Sequence, residues 1–184
     1  MPQSTPRTNA PGEPCARAKL RKLWQEGDLF HVATRYPRKQ TPPRTDRLAA
    51  ILRTGLLAPA RSDDGSVVSD LNLTVLNCEP AYEDFVFLHR FGPQSWLYTI
   101  SDPGRFAVFV DPRFPVLMPE QMGDAWPELC QDEVYVQGHV PHDRFLGVAI
   151  HPADADSVLS HLLAEFERLA LPLYDYEGSI IWPL

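Results

Sequence analysis

Two short segments of the sequence combine residue types that could take part in catalysis. In the first, His31 lies within the run 30–35, and its apolar neighbours would hold the imidazole on the less apolar side of a partly buried strand. In the second, Gln131 and Glu133 lead into an apolar run. Residues two apart on an extended chain share a face, so this amide and carboxylate would lie together. A carboxylate at a strand entry can stabilise positive charge that develops in a transition state.

Structural interpretations of these residues are also open. A histidine on such a strand is commonly a satisfied core or surface side chain, and Glu133 could be a solvated strand end. His139 and His142 have a spacing that could hold a metal, but no cysteine supports them, so a turn with two exposed imidazoles and no metal is favoured. The sequence lacks GxGxxG, GxxxxGK[ST], HExxH and GxSxG, which argues against the nucleotide folds, zincins and hydrolases that carry these motifs.

The elements that must position the candidate residues are short. Alternating or β-branched apolar runs predict strands, and apolar residues at helical spacing predict helices. Because strands do not alternate regularly with helices, we expect an α+β fold with one or two mostly antiparallel sheets. The predicted strands are 28–34, 85–89, 106–110, 133–137, 145–150 and 179–182; the predicted helices are 16–25, Thr45 or Asp46 to Gly55, and 156–170; and residues 174–178 are predicted to form a turn.

Length and composition indicate one globular domain. The chain has 184 residues, 44% of them hydrophobic, and its 19 prolines disfavour long helices. Residues 1–14 lack apolar periodicity, and we expect a disordered leader followed by a single domain over 15–184. There is no apolar run of the roughly 18 residues that span a membrane, no secretory signal, and no CxxC pair among three cysteines. These features predict a cytoplasmic protein with no membrane partner.

Charge is distributed unevenly along the chain. Residues 1–62 carry 12 Lys or Arg and 4 Asp or Glu, a balance of +8, whereas residues 63–184 have a balance of −15, which gives the net charge of −7. The basic part could meet the phosphates of a nucleotide or nucleic acid, or it could be a solvated surface packed against an acidic body. Charge alone does not indicate nucleic-acid binding.

The order of the segments between residues 29 and 150 resembles that of the ADP-ribosyltransferase superfamily. Phe30-His31 with Thr34 is similar to the strand in which members carry an NAD-contacting histidine, although the usual His-Gly-Thr is here His-Val-Ala-Thr. Residues 48–57 resemble the helix that follows and its Gly-Leu exit.

The later segments extend the resemblance. Residues 85–89, followed by 95–98, resemble the strand and helix start that flank the nicotinamide in poly(ADP-ribose)-polymerase-like members. Residues 131–141 are similar to the Glu-bearing strand and turn of DNA-targeting ADP-ribosyltransferase toxins. Gln131-Asp-Glu133 also has the Gln-x-Glu form of other transferases.

The resemblance implies both a fold and a site. The fold would be a mostly antiparallel split β-sheet core with flanking short helices, and NAD would be the co-substrate, with no metal. Glu133 would accept a hydrogen bond from a ribose hydroxyl and stabilise the oxocarbenium-like state formed as the nicotinamide–ribose bond breaks, and Gln131 would contact the acceptor. The implied NAD-binding residues are His31, Thr34, Arg35, Phe87, Ser95 and Tyr98.

The predicted function is therefore ADP-ribosyl transfer from NAD to a macromolecular acceptor, either protein or nucleic acid, by a toxin-like or defence-associated enzyme. Two alternatives are kept. An RNA 2′-phosphotransferase resembles the same superfamily but needs several basic residues to grip an RNA phosphate, for which only Arg35 and Arg90 are evident. A non-catalytic interaction protein could use the same scaffold, since the acidic body after residue 62 would suit a basic partner.

Overall fold

A computed structural model describes most of the predicted elements. The described residues are 29–33, 44–58, 85–90, 103–118, 121, 133–175 and 178–183. The strands are β1 (Leu29–Ala33), β2 (Leu56–Leu57), β3 (Phe85–Arg90), β4 (Phe106–Val110), β5 (Glu133–Gln137), β6 (His139–Val140), β7 (Phe145–Ile150), β8 (Leu173–Asp175) and β9 (Ile180–Trp182). The helices are α1 (Arg44–Thr54) and α2 (Ala155–Leu169), with 3-10 turns at His142–Arg144 and Pro152–Asp154.

Seven of these strands form one sheet, in the order β5-β3-β1-β4-β7-β8-β9, and β2 pairs with β6 in a separate ribbon. All paired neighbours are antiparallel except β7 and β8, which are parallel. The architecture is therefore mixed α+β with mostly antiparallel strands and short helices, as the sequence predicts.

Helices α1 and α2 cover one face of this sheet. In α2, Val158, Leu162 and Phe166 recur at helical spacing and are buried, so this amphipathic helix has one apolar stripe directed at the sheet. They pack in the same core as Val108 of β4 and Val148 of β7, which are opposite each other in the β4–β7 register. We call the side of the sheet that carries these two valines the helix-covered face and the other side the second face.

An ionic cluster joins the two helices. Glu165 accepts hydrogen bonds from Nε of Arg53 at 2.7 Å and from Nε of Arg168 at 3.0 Å, and Nη2 of Arg168 also donates to the Leu52 carbonyl of α1 at 2.9 Å. The Arg53 guanidinium, and then that of Arg168, hold the pKa of the Glu165 carboxyl below its usual range. The polar groups at this helix contact are therefore paired with each other.

Gly55 shows why α1 must end where it does. Its φ of +89° favours glycine, and a Cβ at this position would collide with the Val140 carbonyl oxygen of β6. The chain then turns directly into β2, and the amide of Ala58 donates to the Gly138 carbonyl at 3.0 Å. The glycine thus permits both the helix exit and the close approach of the β2–β6 ribbon.

Most of the predicted element bounds are confirmed. Strands 106–110, 133–137 and 145–150 are found as predicted, and the helix predicted over 156–170 occupies Ala155–Leu169. The turn predicted over 174–178 is wrong in its first part, because Tyr174 and Asp175 belong to β8 and pair with β7. The predicted leader and the helix over 16–25 lie outside the described residues.

Candidate active site

Glu133 is the first residue of β5, at the point where the chain enters the sheet. On one side β5 pairs with β3 over five consecutive residue pairs, from Phe85 opposite Gln137 to His89 opposite Glu133. On the other side Tyr135 exchanges two backbone hydrogen bonds with Leu117, at 2.7 and 3.0 Å. The position of Glu133 along the sheet is therefore set from both sides of its strand.

The register places three chemically distinct residue types on the second face. Glu133 lies opposite His89, and Phe87 lies opposite Tyr135 in the neighbouring pair. Because directly opposite residues and residues two apart both share a face, these four positions belong to the same side of the sheet. His89 is half-buried and Tyr135 is fully buried. A carboxylate, an imidazole and an aromatic ring thus occupy adjacent positions at the β5–β3 pair.

His31 belongs to the opposite side. It lies across from Val108, which is fully buried under α1 and α2, whereas the neighbouring Phe30 lies across from His89. The register position of His31 is thus on the helix-covered face, and its role as an NAD contact stays a prediction. His31 and Glu133 therefore do not share a face, and Glu133 and Phe87 do.

The far end of β1 is also distant from Glu133. Phe30 is near the Glu133 end of the sheet, and three residues later Ala33 lies opposite Phe106 at the other end. At about 3.3 Å per residue, this separates the strand exit from the His89 row by roughly 10 Å along the sheet. Ala33, the last residue of β1, therefore lies at the end of the sheet that does not contain Glu133. The predicted site residues outside the described part of the chain are Thr34, Arg35, Ser95, Tyr98 and Gln131.

The buried carboxylate of Asp111, near the end of the sheet that contains Glu133, has a structural role. Asp111 follows β4, and its carboxylate accepts from Nε and Nη2 of Arg113 at 3.0 and 2.9 Å and from the Arg113 amide at 3.0 Å. The Arg113 guanidinium holds the pKa of Asp111 below its usual range. The Asp111 amide donates to the Arg144 carbonyl, which joins the end of β4 to the start of β7. This ionised, fully engaged carboxylate is a poor candidate for proton transfer.

His89 lies in a strand that the sequence predicts, but no sequence motif indicates a role for its imidazole. The sequence does indicate the face of His89, because this residue is two positions beyond Phe87 and must share its face if the segment is a strand. What the sequence does not contain is the pairing that brings Glu133 opposite it.

Other histidines and metal-ligating groups form no comparable arrangement in the described ranges. His139 is exposed on β6, His142 is half-buried at the start of a 3-10 turn, and Nδ1 of His151 accepts from the Ala153 amide at 3.1 Å. The described residues contain no group of three potential metal ligands. Within the same residues, no helix has the length and apolar character needed to cross a membrane.

Comparison of the chain with protein families, characterised proteins and solved structures finds no match. Function is therefore inferred from the residue types at the β5–β3 pair and from the resemblance of the sequence segments to ADP-ribosyltransferases.

Proposed function

We propose that this protein is an NAD-dependent ADP-ribosyltransferase that modifies a macromolecular acceptor. The observation that carries the proposal is the placement of Glu133 and Phe87 on one face of two paired strands, with Glu133 at the strand entry. The order of the sequence segments also supports it, because the Glu-bearing strand follows the aromatic strand as it does in the family that the sequence resembles.

The proposed reaction breaks the C–N bond between nicotinamide and ribose and forms a bond between the same ribose carbon and an acceptor atom. The electron pair of the broken bond leaves with nicotinamide, which becomes neutral, and the acceptor loses a proton. Positive charge develops on the ribose, and the Glu133 carboxylate stabilises it while accepting a hydrogen bond from a ribose hydroxyl. Phe87 supplies an aromatic surface for the nicotinamide ring.

The proposal keeps Glu133 and Phe87 as the central pair and does not use His31, whose register position is on the other face. Gln131 stays a predicted acceptor contact, and Thr34, Arg35, Ser95 and Tyr98 stay predicted NAD contacts. A protein or a nucleic acid is the acceptor class, and the toxin-like or defence-associated role is part of the same proposal.

The decisive experiment measures nicotinamide release from NAD by the purified full chain and by its Glu133→Gln variant. We expect the variant to release nicotinamide at least about 10²-fold more slowly, because the amide has no charge to offset the developing cation. NAD affinity and thermal stability should change little. Glu167→Gln is the matched control, because Glu167 is an exposed carboxylate on α2 and the same change there should leave the rate unaltered.

Three outcomes separate the possible functions. Release that depends on Glu133 supports the proposal, and incubation with cell protein or nucleic acid fractions and labelled NAD then identifies the acceptor class. Equal release by wild type and Glu133→Gln removes Glu133 from the mechanism. Neither NAD binding nor release, with or without these acceptors, overturns the proposal and favours the non-catalytic interaction protein.

A further inference from the structure

We infer that His89 is the positioning residue of Glu133, with an imidazole N–H that donates to one carboxylate oxygen and leaves the other oxygen for the ribose hydroxyl. This inference rests on the proposed function and assigns a role that neither the sequence segments nor their family resemblance gives to His89. It follows from the register of β3 and β5 and from the residues on either side of His89.

Buried apolar residues determine which face of the sheet His89 occupies. Val86 and Leu88 of β3 and Val134 and Val136 of β5 alternate with the second-face residues, and all four are buried in the helix-covered core. A slip of one residue in either strand would move its apolar side chains to the other face. This alternation fixes the face of His89, and the five consecutive pairs without a bulge place Glu133 opposite it.

Among the described strands, the positions on either side of His89 in its row differ in polarity. Phe30 of β1 lies on one side and Glu133 of β5 on the other. Directly opposite residues of an antiparallel pair have Cβ atoms about 4.5–5.5 Å apart, a separation that histidine and glutamate side chains can span with a hydrogen bond. On the same face, the next position of β5 is Tyr135, which lies opposite Phe87.

Half-burial suits His89 to this role. A half-buried imidazole has lost part of its hydration, and a hydrogen bond to a neighbouring carboxylate would offset that loss. His89 is also the penultimate residue of β3, next to the end at which the chain leaves the sheet.

The positioning role requires no proton transfer. The imidazole keeps its protons throughout, and its contribution is to restrict the carboxylate to the orientation that faces the ribose. Loss of that restriction should lower kcat more than it weakens NAD binding, because the charge that Glu133 stabilises develops only in the transition state.

The test compares two substitutions at one position in the full chain. His89→Phe keeps a flat ring but removes the donor, and we expect kcat for nicotinamide release to fall about 30-fold with little change in KM for NAD. His89→Gln keeps an N–H donor of similar reach and should retain kcat within about fivefold of wild type. His142→Phe, at a half-buried histidine in a 3-10 turn, is the control and should leave kcat unchanged.

Coupling to Glu133 distinguishes positioning from a structural role. In the Glu133→Gln background, His89→Phe should cause almost no further loss of the residual release, whereas an unrelated effect on the fold would add to it. Wild-type kcat in His89→Phe, or equal losses in the Phe and Gln variants, would overturn the inference while Glu133-dependent release still supports the proposed function. Loss of kcat in His31→Phe but not in His89→Phe would likewise overturn the inference. If nicotinamide release by the wild-type protein does not depend on Glu133, the proposed function itself is wrong, whatever the His89 variants show.

Discussion

The two faces of the large sheet differ in what their side chains are suited to do. The helix-covered face carries the main apolar core, which includes Val108 and Val148 of the sheet and Leu162 and Phe166 of α2. The second face combines buried aromatic residues with the polar positions at the β5–β3 pair. The same two strands thus supply residues to both faces, and stability and chemistry depend on alternate residues of the same segments.

The comparison also extends to charged groups. At the helix contact, Glu165 is engaged by two arginines, so its charge is used to join elements. At the β5–β3 pair, the ionisable position Glu133 lies opposite a histidine rather than an arginine. Arginine forms a strong forked pair that occupies both oxygens of a carboxylate, whereas a histidine can leave one oxygen for a ligand. The second arrangement is the one that a substrate hydroxyl can join.

The largest effect that separates the two faces is expected at neighbouring residues of β3. Leu88→Ala should lower the free energy of unfolding by about 3 kcal/mol, because Leu88 is fully buried in the helix-covered core and its loss leaves a cavity. His89→Phe, one residue along on the second face, should lower it by less than about 1 kcal/mol. Urea denaturation of the two variants measures the difference.

Activity should show the reverse order. Folded Leu88→Ala protein is expected to keep kcat for nicotinamide release close to that of wild type, whereas His89→Phe loses it. Equal losses of stability in the two variants, or a large loss of kcat in Leu88→Ala, would show that the two faces do not divide stability and chemistry in this way.

A smaller effect is expected at the ionic cluster between the helices. Glu165→Gln should lower the free energy of unfolding by about 1 kcal/mol at pH 7, since the side chain of Glu165 is only 17% exposed but that of its partner Arg53 is 62% exposed and solvated. Because the Arg53 guanidinium lowers the folded-state pKa of Glu165, the stabilisation is complete above the unfolded-state pKa of about 4.3. It is lost as the pH falls through the lower folded-state value.

Urea denaturation at pH 7 and pH 3 tests this dependence. The difference between wild type and Glu165→Gln should shrink at the lower pH, and high salt should reduce it at pH 7. Glu167→Gln, which changes an exposed carboxylate two residues away, should show neither effect. A difference that grows toward low pH would contradict the assignment of an ionised Glu165. Nicotinamide release should be unaffected in both variants, because both residues are on α2.

Local patterns in the sequence predict the strands well, but they indicate the face of a candidate residue in β5 and not in β1. Glu133, Tyr135 and Gln137 alternate with valines, so the polar side of β5 is evident before any pairing is known. In β1 the alternate set of Phe30 and Val32 is the more apolar one, which predicts the less apolar side for His31, whereas its register position lies opposite the buried Val108. The face is decided by the long-range register with β4, and no property of the five-residue segment contains that pairing.

The same limit explains β8. Tyr174 and Asp175 are followed closely by a glycine, which locally favours a turn. Their strand exists because β7 provides a parallel partner and because Gly147 leaves room for the Tyr174 ring, whose Cε2 would be 2.9 Å from a Cβ at that position. A three-residue strand that depends on a distant glycine has almost no local signal.

The smallest expected effect is an increase in stability at the end of α2. Ala170 caps this helix in the left-handed conformation, with φ of +49°, and the amides of Ala170 and Leu171 donate to the carbonyls of Glu167 and Phe166. Glycine adopts this conformation without the Cβ penalty, so Ala170→Gly should raise the free energy of unfolding by about 0.5 kcal/mol.

The same substitution within the helix should have the opposite sign. Ala164→Gly, at an exposed position of α2, is expected to lower the free energy of unfolding by about 1 kcal/mol, since glycine is a poor helix former there. Thermal or urea denaturation of the two variants compares the signs directly. If both substitutions destabilise the protein, the left-handed cap is not maintained in solution. If the two changes in the free energy of unfolding have opposite signs and nicotinamide release is unchanged, the helix-covered face can be stabilised without altering the second face. The alternating residues of β3 and β5 predict this separation.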